Sequence, residues 1–488
     1  LIQNATAFID RSEAIYSGLK DYQVTLNTEV NNMVEKINSL GQKIYNLNKG
    51  IVKVEAEGVE RANDLRDSRD LALDELSKYI DIDYYETKDG EVIVSAENVP
   101  FITKNDIAKM SVREEGTYGL LIPQWEGYQQ DVYNFDKQAN NANDTDKGKL
   151  KGLLIARGVI EVNYTDIPVM PERADYDLTT EQGMAEYNSA MDAYQQKQDY
   201  YNKYIEPSAI LSAIAGFDKL VNGIVTAMND VLCPETTMDT TKELTDADGN
   251  ILKAEKYVYN ASTHDVLYDS HGNVVAGKEN GDGTYSYEAS EKLYVDANQE
   301  ETENIDSMTY KILDMSKAGY GMDDDETRGV ELFKRNGTDR YKQITGADGS
   351  TIYVRNNLNV TGFETDYTLG NLIVNPEASQ NVGTLPLSTE HGKEDFSKVN
   401  ELIDTFSKKF ASLNPENYAK ADFNTFYNDY IGEFATMGSV LTKYVNNQTT
   451  MVNGYDNQRL QTSGVSSDEE LQKMIKYQHA YNAASRYI

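Results

Sequence analysis

Few segments of this chain carry residue types at a spacing that does chemistry, and each lacks a part that its chemistry requires. Gly272-Asn273-Val274-Val275-Ala276-Gly277-Lys278 has the glycine and lysine spacing of a phosphate-binding loop, but Glu279 stands where a Ser or Thr must hold magnesium, and no helix pattern follows. Asp246-Ala247-Asp248-Gly249-Asn250 opens like a calcium loop, yet its glycine falls at the fourth place instead of the sixth and no glutamate occupies the twelfth. A hairpin turn is the simpler reading. Asp323-Asp324-Asp325-Glu326 offers carboxylates to a hard cation, although such a charge run reads first as a solvated loop. His264, His271, His391 and His479 are too dispersed for a local metal motif; the first two share a hairpin-like segment and read as turn residues. Cys233 is the single cysteine, which excludes an intrachain disulfide and a cysteine-based metal cluster. HExxH, GxSxG and GxGxxG are absent. Paired carboxylates of a hydrolase leave no local signature among so many acids. No catalytic, cofactor-binding or metal-binding residue is therefore assigned, and the chain reads as a protein that is not an enzyme.

Charge narrows the partners. With 46 basic and 80 acidic residues the net charge is −34, which repels nucleic acid phosphates and anionic headgroups, so neither nucleic acid nor membrane is expected as a partner. No run approaches the roughly 18 to 20 apolar residues of a membrane span, and no basic and apolar leader opens the chain. A length of 488 residues suits roughly two to four domains.

The elements that must position these residues are mostly helices. Ile15, Leu19, Tyr22, Leu26, Val30, Met33, Ile37, Leu40, Ile44, Leu47, Ile51 and Val54 follow one another at steps of three or four, a heptad seam with one stutter at Tyr22 to Val30. The pattern reaches back through Ser12, Phe8 and Ala5 to Leu1. Gly50 and Gly58 weaken its end, and Ala62, Leu65, Arg69, Ala72, Leu76 and Ile80 mark a second helix, giving an αα-hairpin. Met184, Tyr187, Met191, Tyr194, Gln198, Tyr201 and Ile205 form a third stripe. Pro207 parts it from Ile210, Ile214, Phe217, Val221, Ile224, Met228 and Val231. Further helices are expected from Phe396 to Leu413 and from Phe423 to about Tyr455. The last helix has a capping box at Ser466 and Ser467 with Glu469 and Glu470, then Leu471, Met474, Gln478, Tyr481, Ser485 and Ile488 in heptad spacing with no closing signal. Both ends thus read as open, like the middle of a longer protein that stays monomeric until its terminal seams meet partners.

Between Cys233 and Asn371 the character changes. Turn dipeptides Asp248-Gly249, Asn280-Gly281, Asp282-Gly283, Asn336-Gly337 and Asp348-Gly349 separate strand-like runs such as Thr284 to Tyr287, Lys292 to Val295 and Thr351 to Val354. A smaller β element is expected near 82–102 around Asp89-Gly90, and Gln138 to Lys149 reads as a polar loop. The expected fold is mainly α with a β insertion: an elongated multi-helix bundle formed by both ends of the chain plus an inserted β-rich domain. The domain reading is 1–232 and 372–488 for the helical parts and 233–371 for the insertion.

One segment is more specific. Ala62-Asn63-Asp64-Leu65-Arg66-Asp67-Ser68-Arg69-Asp70, continuing through Asp74, Glu75 and Leu76, interleaves acids and arginines. On spacing alone Arg66 meets Asp70 one turn on, worth about a few tenths of a kcal/mol, and the segment is a charged, solvated helix face. Preceded by the long heptad helix and followed by Asp89-Gly90-Glu91-Val92, this stretch closely resembles the flagellar hook-associated protein 1 (FlgK) family, and Gly464 to Ile488 resembles the C-terminal helix of the same family. Gly148 to Leu154 and Leu372-Ile373-Val374-Asn375-Pro376 are weaker echoes. The clear similarity covers about 1–100 and 372–488.

The resemblance implies an extracellular structural protein of the bacterial flagellum, exported through the flagellar channel and polymerising as a ring that joins hook to filament. Implied partners are other copies of itself, the hook protein, hook-associated protein 3 and an export chaperone, with no cofactor. Family members pair their terminal helices into an inner tube and carry β domains outside. Against that pattern the extreme terminal segments are expected to lie outside this sequence, and 233–371 has no family motif. The alternatives are another axial protein (hook-associated protein 3 or a flagellin), or a flagellar surface protein whose insertion is adhesive or carbohydrate-active.

Overall fold

The computed structural model describes residues 1–56, 61–116, 119–135, 147–237, 244–245, 278–279, 285–286, 293–294, 301–302, 311–346, 351–355, 367–390, 392–415, 419–464 and 466–486. The chain divides into two compact units, Leu1–Asn428 and Asp429–Ile488.

Helix α1 (Ile2–Glu55) is continuous for 54 residues, about 80 Å, and Gly50 does not interrupt it. Its buried line runs through Ala5, Ile9, Ser12, Gln23, Val30, Met33, Ile37, Leu40, Ile44, Asn48 and Ile51. The expected seam is corrected at several places. Ile15 and Tyr22 are exposed, Leu19, Leu26 and Leu47 are half-buried, and polar Ser12, Gln23 and Asn48 take buried positions. Distant backbone partners, described below, make those amides acceptable inside. Helix α2 (Asn63–Leu76) packs back on α1 and buries Arg69, Ala72, Leu73 and Leu76.

Strands β1 (Ile82–Glu86), β2 (Val92–Ala96) and β3 (Val99–Ile102) form an antiparallel meander. Gly90 takes a positive φ of 85° in the first turn, and Glu97 and Asn98 do so in the two-residue second turn. A second meander, β4 (Met110–Glu115), β5 (Leu120–Trp125) and β6 (Gln130–Asp131), was not expected from the sequence. Both meanders share one core with α1, α2 and α3 (Lys149–Arg157), centred on Ile37, Leu40, Ile44, Leu76, Phe101, Trp125, Leu150 and Leu154. Gly41 lets the Phe101 ring lie against the helix, since a Cβ there would stand 2.5 Å from Phe101 Cζ.

Helix α4 (Glu181–Tyr200) ends in a π-turn, Tyr201–Ile205, and α5 (Ala209–Leu232) starts beyond Pro207 with Ser208 as its cap. Met184 is exposed, so the α4 stripe is buried only toward its end, at Tyr194, Tyr201 and Ile205. Tyr201, Ile205, Ile210, Leu211 and Ile214 form a second core, on which Leu19 and Leu26 of α1 pack. Contrary to the sequence reading, α5 is long and apolar enough to cross a membrane. Most of it is buried here, and its Asp218 and Asn229 hold backbone groups of other segments, which is how the core helix of a folded domain behaves.

The insertion contributes a five-stranded antiparallel sheet and smaller pieces. In chain order its strands are β7 (Glu235–Thr237), β8 (Leu244–Thr245), β9 (Lys278–Glu279), β10 (Tyr285–Ser286), β11 (Leu293–Tyr294), β12 (Glu301–Thr302), β13 (Lys311–Leu313), β14 (Phe333–Arg335), β15 (Tyr341–Gly346) and β16 (Thr351–Arg355). The sheet order is β7-β13-β16-β15-β8; β9 pairs with β10 and β11 with β12, while β14 pairs with β17 (Leu372–Val374). Residues 272–277 of the phosphate-loop resemblance, the calcium-loop resemblance, His264, His271, His391 and most of the expected polar loop lie outside the described residues, while Lys278 and Glu279 form β9.

After α6 (Pro376–Gln380) and the hairpin β18 (Ser388–Thr389) and β19 (Lys393–Glu394), helix α7 (Phe396–Thr405) stops well before Leu413, where an Ala411 to Ala421 bridge takes over. Helix α8 (Phe423–Ser463) runs past Tyr455. Its first turns dock through Phe423 and Phe426, whose rings lie 4.3 and 5.1 Å from Phe410. Helix α9 (Ser467–Ser485) is capped by Ser466, which accepts the Glu469 N–H at 3.4 Å. The fold is thus mainly α, with helices at both ends of the chain and a β-rich insertion.

Candidate functional site

The arginine motif is a lock, not a solvated face. Arg66 does not pair with Asp70. Its guanidinium grips both oxygens of Glu55 at the end of α1, at 2.8 and 2.7 Å, and reaches Glu86 on β1 at 2.7 Å. Arg69, 2% exposed, donates to the Gly90 carbonyl at 2.6 Å, to Glu86 at 2.8 Å and to Asn48 at 3.4 Å. Asp70 lies only 3.7 Å from Arg69 Nε. The Arg66 hydrogen bonds and the Ala62 N–H pull the Glu55 carboxyl down to about 2. Burial alone would raise Glu86, but the two arginines outweigh it and hold it low.

The other motif residues support this lock. Asp64 sits in the first turn of α2, whose N–H groups favour negative charge, and Asn63 opens that helix. Leu65 packs near Gly50, and Glu75 pairs with Lys36 of α1 at 2.8 Å. Leu76 is buried, and the Asp74 carbonyl accepts the Ser77 hydroxyl. Arginines in this pattern therefore bind α1, α2 and the β1–β2 hairpin together.

A second device was missed by the sequence reading. Three asparagines along α1 act as strand mimics, each accepting a strand N–H through Oδ1 and donating through Nδ2 to a nearby carbonyl. Asn48 takes the Val92 N–H at 3.0 Å and gives to the Val92 carbonyl at 2.8 Å. Asn38 does the same with Met110, at 2.9 and 2.9 Å. Asn27 accepts from Leu121 at 2.8 Å and donates to the Gly119 carbonyl at 3.0 Å. Asn27 also receives Arg157, which is fully buried, donates to the Leu121 carbonyl and is pushed down to about 10 by burial. The available signal was a set of amides at helical spacing on or beside the apolar seam.

A third set fixes the insertion at its root. Asn229, near the end of α5, accepts the N–H groups of Leu332 and Phe333, both at 3.1 Å, and donates to the Phe333 carbonyl at 2.8 Å. Arg340 joins Asp230 at 2.7 Å, Glu235 at 3.0 Å and the Tyr367 hydroxyl at 3.1 Å, while Arg355 meets Glu235 at 2.7 Å. Tyr367 donates to Glu331, which burial raises. Burial also pushes the Cys233 thiol up to about 12. Asn375 of the weaker echo caps α6 and donates to the Glu331 carbonyl at 2.8 Å. Asp218 completes the set by accepting from Tyr164 at 2.9 Å and Leu369 at 2.7 Å, and burial lifts it to about 6.

None of these arrangements resembles a reaction centre. Asp323 of the acidic run closes a turn by accepting from Thr327. Among the described residues no group of three His, Cys, Asp or Glu is placed to hold a metal. The expected C-terminal seam residues Leu471, Met474 and Tyr481 are exposed, and Ile488 lies outside the described residues.

Comparison with known proteins agrees with the arginine motif. Residues 1–191 match the family described as flagellar hook-associated protein FlgK helical domain, and residues 456–488 match the flagellar basal body rod FlgEFG protein C-terminal family. A curated relative, flagellar hook-associated protein 1 of Bacillus subtilis (strain 168), is 29% identical over 167 residues, 32% of this chain and 33% of that protein. The flagellar hook junction protein FlgK from Burkholderia pseudomallei is a similar solved structure with TM-score 0.35 and 12% identity, covering 79% of this chain and 55% of that one. The chain thus spans about a third of the curated relative it matches and about half of that solved structure. The long α1 helix with its arginine lock lies inside the matched segment, so residues 1–191 of this chain are similar to the helical domain of the flagellar hook-associated protein FlgK.

Proposed function

We propose that this chain is the structural subunit of an extracellular junction between hook and filament, built by polymerisation into a ring, with the hook protein and hook-associated protein 3 as neighbours and an export chaperone before assembly. The observation that carries this reading is the open apolar surface of α8 and α9. Leu441, Tyr444, Val445, Val452, Tyr455, Leu460, Leu471, Met474 and Tyr481 are all exposed, far more than scattered surface apolar residues require. The charge pattern supports it too. Asp429–Ile488 holds six acidic and five basic residues in a chain of net charge −34, so copies can pack through this unit with little like-charge repulsion.

The locks at α2 and at the root of the insertion suit a part that transmits load, because each fixes a β element to a helix at several points. The test is Leu471→Asp with Met474→Asp in the full-length protein, expressed in cells lacking their own copy. Electron microscopy should show hooks without filaments. Normal filaments would refute the assignment.

A further inference from the structure

The chain holds four Asn-Gly dipeptides, a pairing whose reactivity depends on the backbone around it. The backbone nitrogen that follows an asparagine can attack its side-chain carbonyl carbon, and glycine is the one successor with no Cβ to block the approach. Asn222-Gly223 lies within α5, where a Cβ on Gly223 would stand 2.4 Å from the Phe410 ring, and Asn453-Gly454 lies within α8. In a helix the glycine N–H is bonded to the carbonyl four residues back, and turning its nitrogen toward the Asn side chain breaks the ladder. Asn280-Gly281 lies outside the described residues.

Asn336-Gly337 is placed differently. Both residues are exposed at the tip of the turn after β14, and Gly337 takes the positive φ of 76° that glycine supplies at the third position of such turns. One bond closes the turn, from the Thr338 N–H to the Arg335 carbonyl at 3.3 Å. Among the described residues nothing accepts the Gly337 N–H and nothing holds the Asn336 side chain, and no atom lies within 4 Å of where a Gly337 Cβ would stand. Rotation about the Asn336 Cα–C bond therefore breaks no ladder. We infer that Asn336 is a self-modification site, at which the Gly337 nitrogen closes on Asn336 Cγ. The bond formed is Gly337 N to Asn336 Cγ, the bond broken is Asn336 Cγ to Nδ2, and the Gly337 amide proton leaves with Nδ2 as ammonia. Water then opens the imide at either carbonyl, adding hydroxyl to carbon and a proton to nitrogen, which gives aspartate or isoaspartate at 336. Either product adds a negative charge to the turn across which Lys334 pairs with Asp339. Isoaspartate also puts one more carbon into the backbone between β14 and Arg340, which ties the insertion to Asp230 and Glu235. Copies of the chain thus acquire with age a different charge and a longer link at the root of the insertion.

The test holds the purified full chain in mildly alkaline buffer made with heavy-oxygen water, once folded and once unfolded in guanidinium chloride. Cleavage after lysine releases residues 335–342, and mass spectrometry with electron-transfer fragmentation reads position 336 together with positions 222 and 453. In the folded chain, acid carrying heavy oxygen should accumulate at 336, with isoaspartate in excess over aspartate, while Asn222 and Asn453 stay amides. In the unfolded chain all three should convert, which shows that the helices protect the other two. Asn336→Gln should lose the signal, because the longer side chain would have to close a larger ring. An Asn336 amide that survives in the folded chain for the time in which the unfolded chain converts it overturns the inference. So does conversion of Asn453 as fast as Asn336 in the folded chain, failure of Asn222 and Asn453 to convert when unfolded, or persistence of the signal in Asn336→Gln. Aspartate without isoaspartate marks direct hydrolysis and overturns the ring-closing step.

Discussion

Replacing Arg69 with Ala separates a buried lock from a solvated helix face. Arg69 is 2% exposed and makes a 2.6 Å bond to the Gly90 carbonyl and a 2.8 Å bond to Glu86. A hydrogen bond to a charged group contributes about 1.5 to 3 kcal/mol. Because Glu86 is 41% exposed and keeps Arg66, its bond deserves only a fraction of that range. The bond to Gly90 retains full weight, and the buried methylenes add about 0.8 kcal/mol each. Together these give a loss of about 3 to 5 kcal/mol, the range for breaking one partner of a buried ionic group. Arg66→Ala, at a half-buried site, should cost about 1 to 2 kcal/mol. Asp70→Asn should cost no more than about 0.5 kcal/mol, since its carboxylate is exposed and 3.7 Å from the guanidinium. Urea unfolding followed by helix ellipticity, with hydrogen exchange at Gly90 and Val92, reads the order. Equal effects at Arg69 and Asp70, or an Arg69→Ala loss below about 0.5 kcal/mol, would refute the lock.

Asn38→Asp keeps the shape of the strand mimic but loses its donor to the Met110 carbonyl, so urea unfolding should show a loss of about 1 to 3 kcal/mol. Asp218 has a folded value of about 6 against an ordinary 3.8, so the folded state binds its proton first; stability should fall by roughly 3 kcal/mol as pH rises from about 4 to 6, and Asp218→Asn should flatten that slope. Glu55, held down at about 2, acts in the opposite sense in a separate window: its stabilisation is present above about 4.5 and is lost as pH falls toward 2. Cys233, fully buried with its thiol raised to about 12, should resist alkylation at pH 8 until the root of the insertion opens, and rapid labelling of the native protein would contradict that packing.

The sequence made the helices legible because their apolar steps are long and regular, and it made the β1–β2 turn legible because Asp89-Gly90 admits a positive φ. It misplaced parts of the seam for a physical reason. Ile15 and Tyr22 obey the spacing, but the buried line passes through Ser12 and Gln23 beside them. Gln23 donates to the Arg157 carbonyl, 134 positions away, and no local pattern announces such a partner. The arginine motif shows the same limit. Arg69 stood at a seam position in the helix pattern, yet charge interleaving suggested solvent, because the Gly90 carbonyl and Glu86 that receive it lie on the following hairpin. The second meander escaped notice since β4 ends in charged Arg113, Glu114 and Glu115, whose pairing with Leu120 to Ile122 is set by packing on α1.

The strand-mimicking asparagines explain why a single long helix can organise two separate meanders. Asn27, Asn38 and Asn48 are spaced by 11 and 10 residues, close to three turns each, so they share one face of α1. Each bonds a backbone donor and acceptor that would otherwise end unpaired at a sheet margin, where a buried orphan group costs about 1 to 3 kcal/mol. Apolar contacts alone would let a meander slide along the helix. The paired amide bonds do not, because a shift of one residue presents the other face of the strand. Asn229 repeats the arrangement on α5 at the root of the insertion. In this chain hydrophobic burial supplies the bulk of the attraction between helix and sheet, while a few side-chain amides and two arginines set the register in which that attraction is realised.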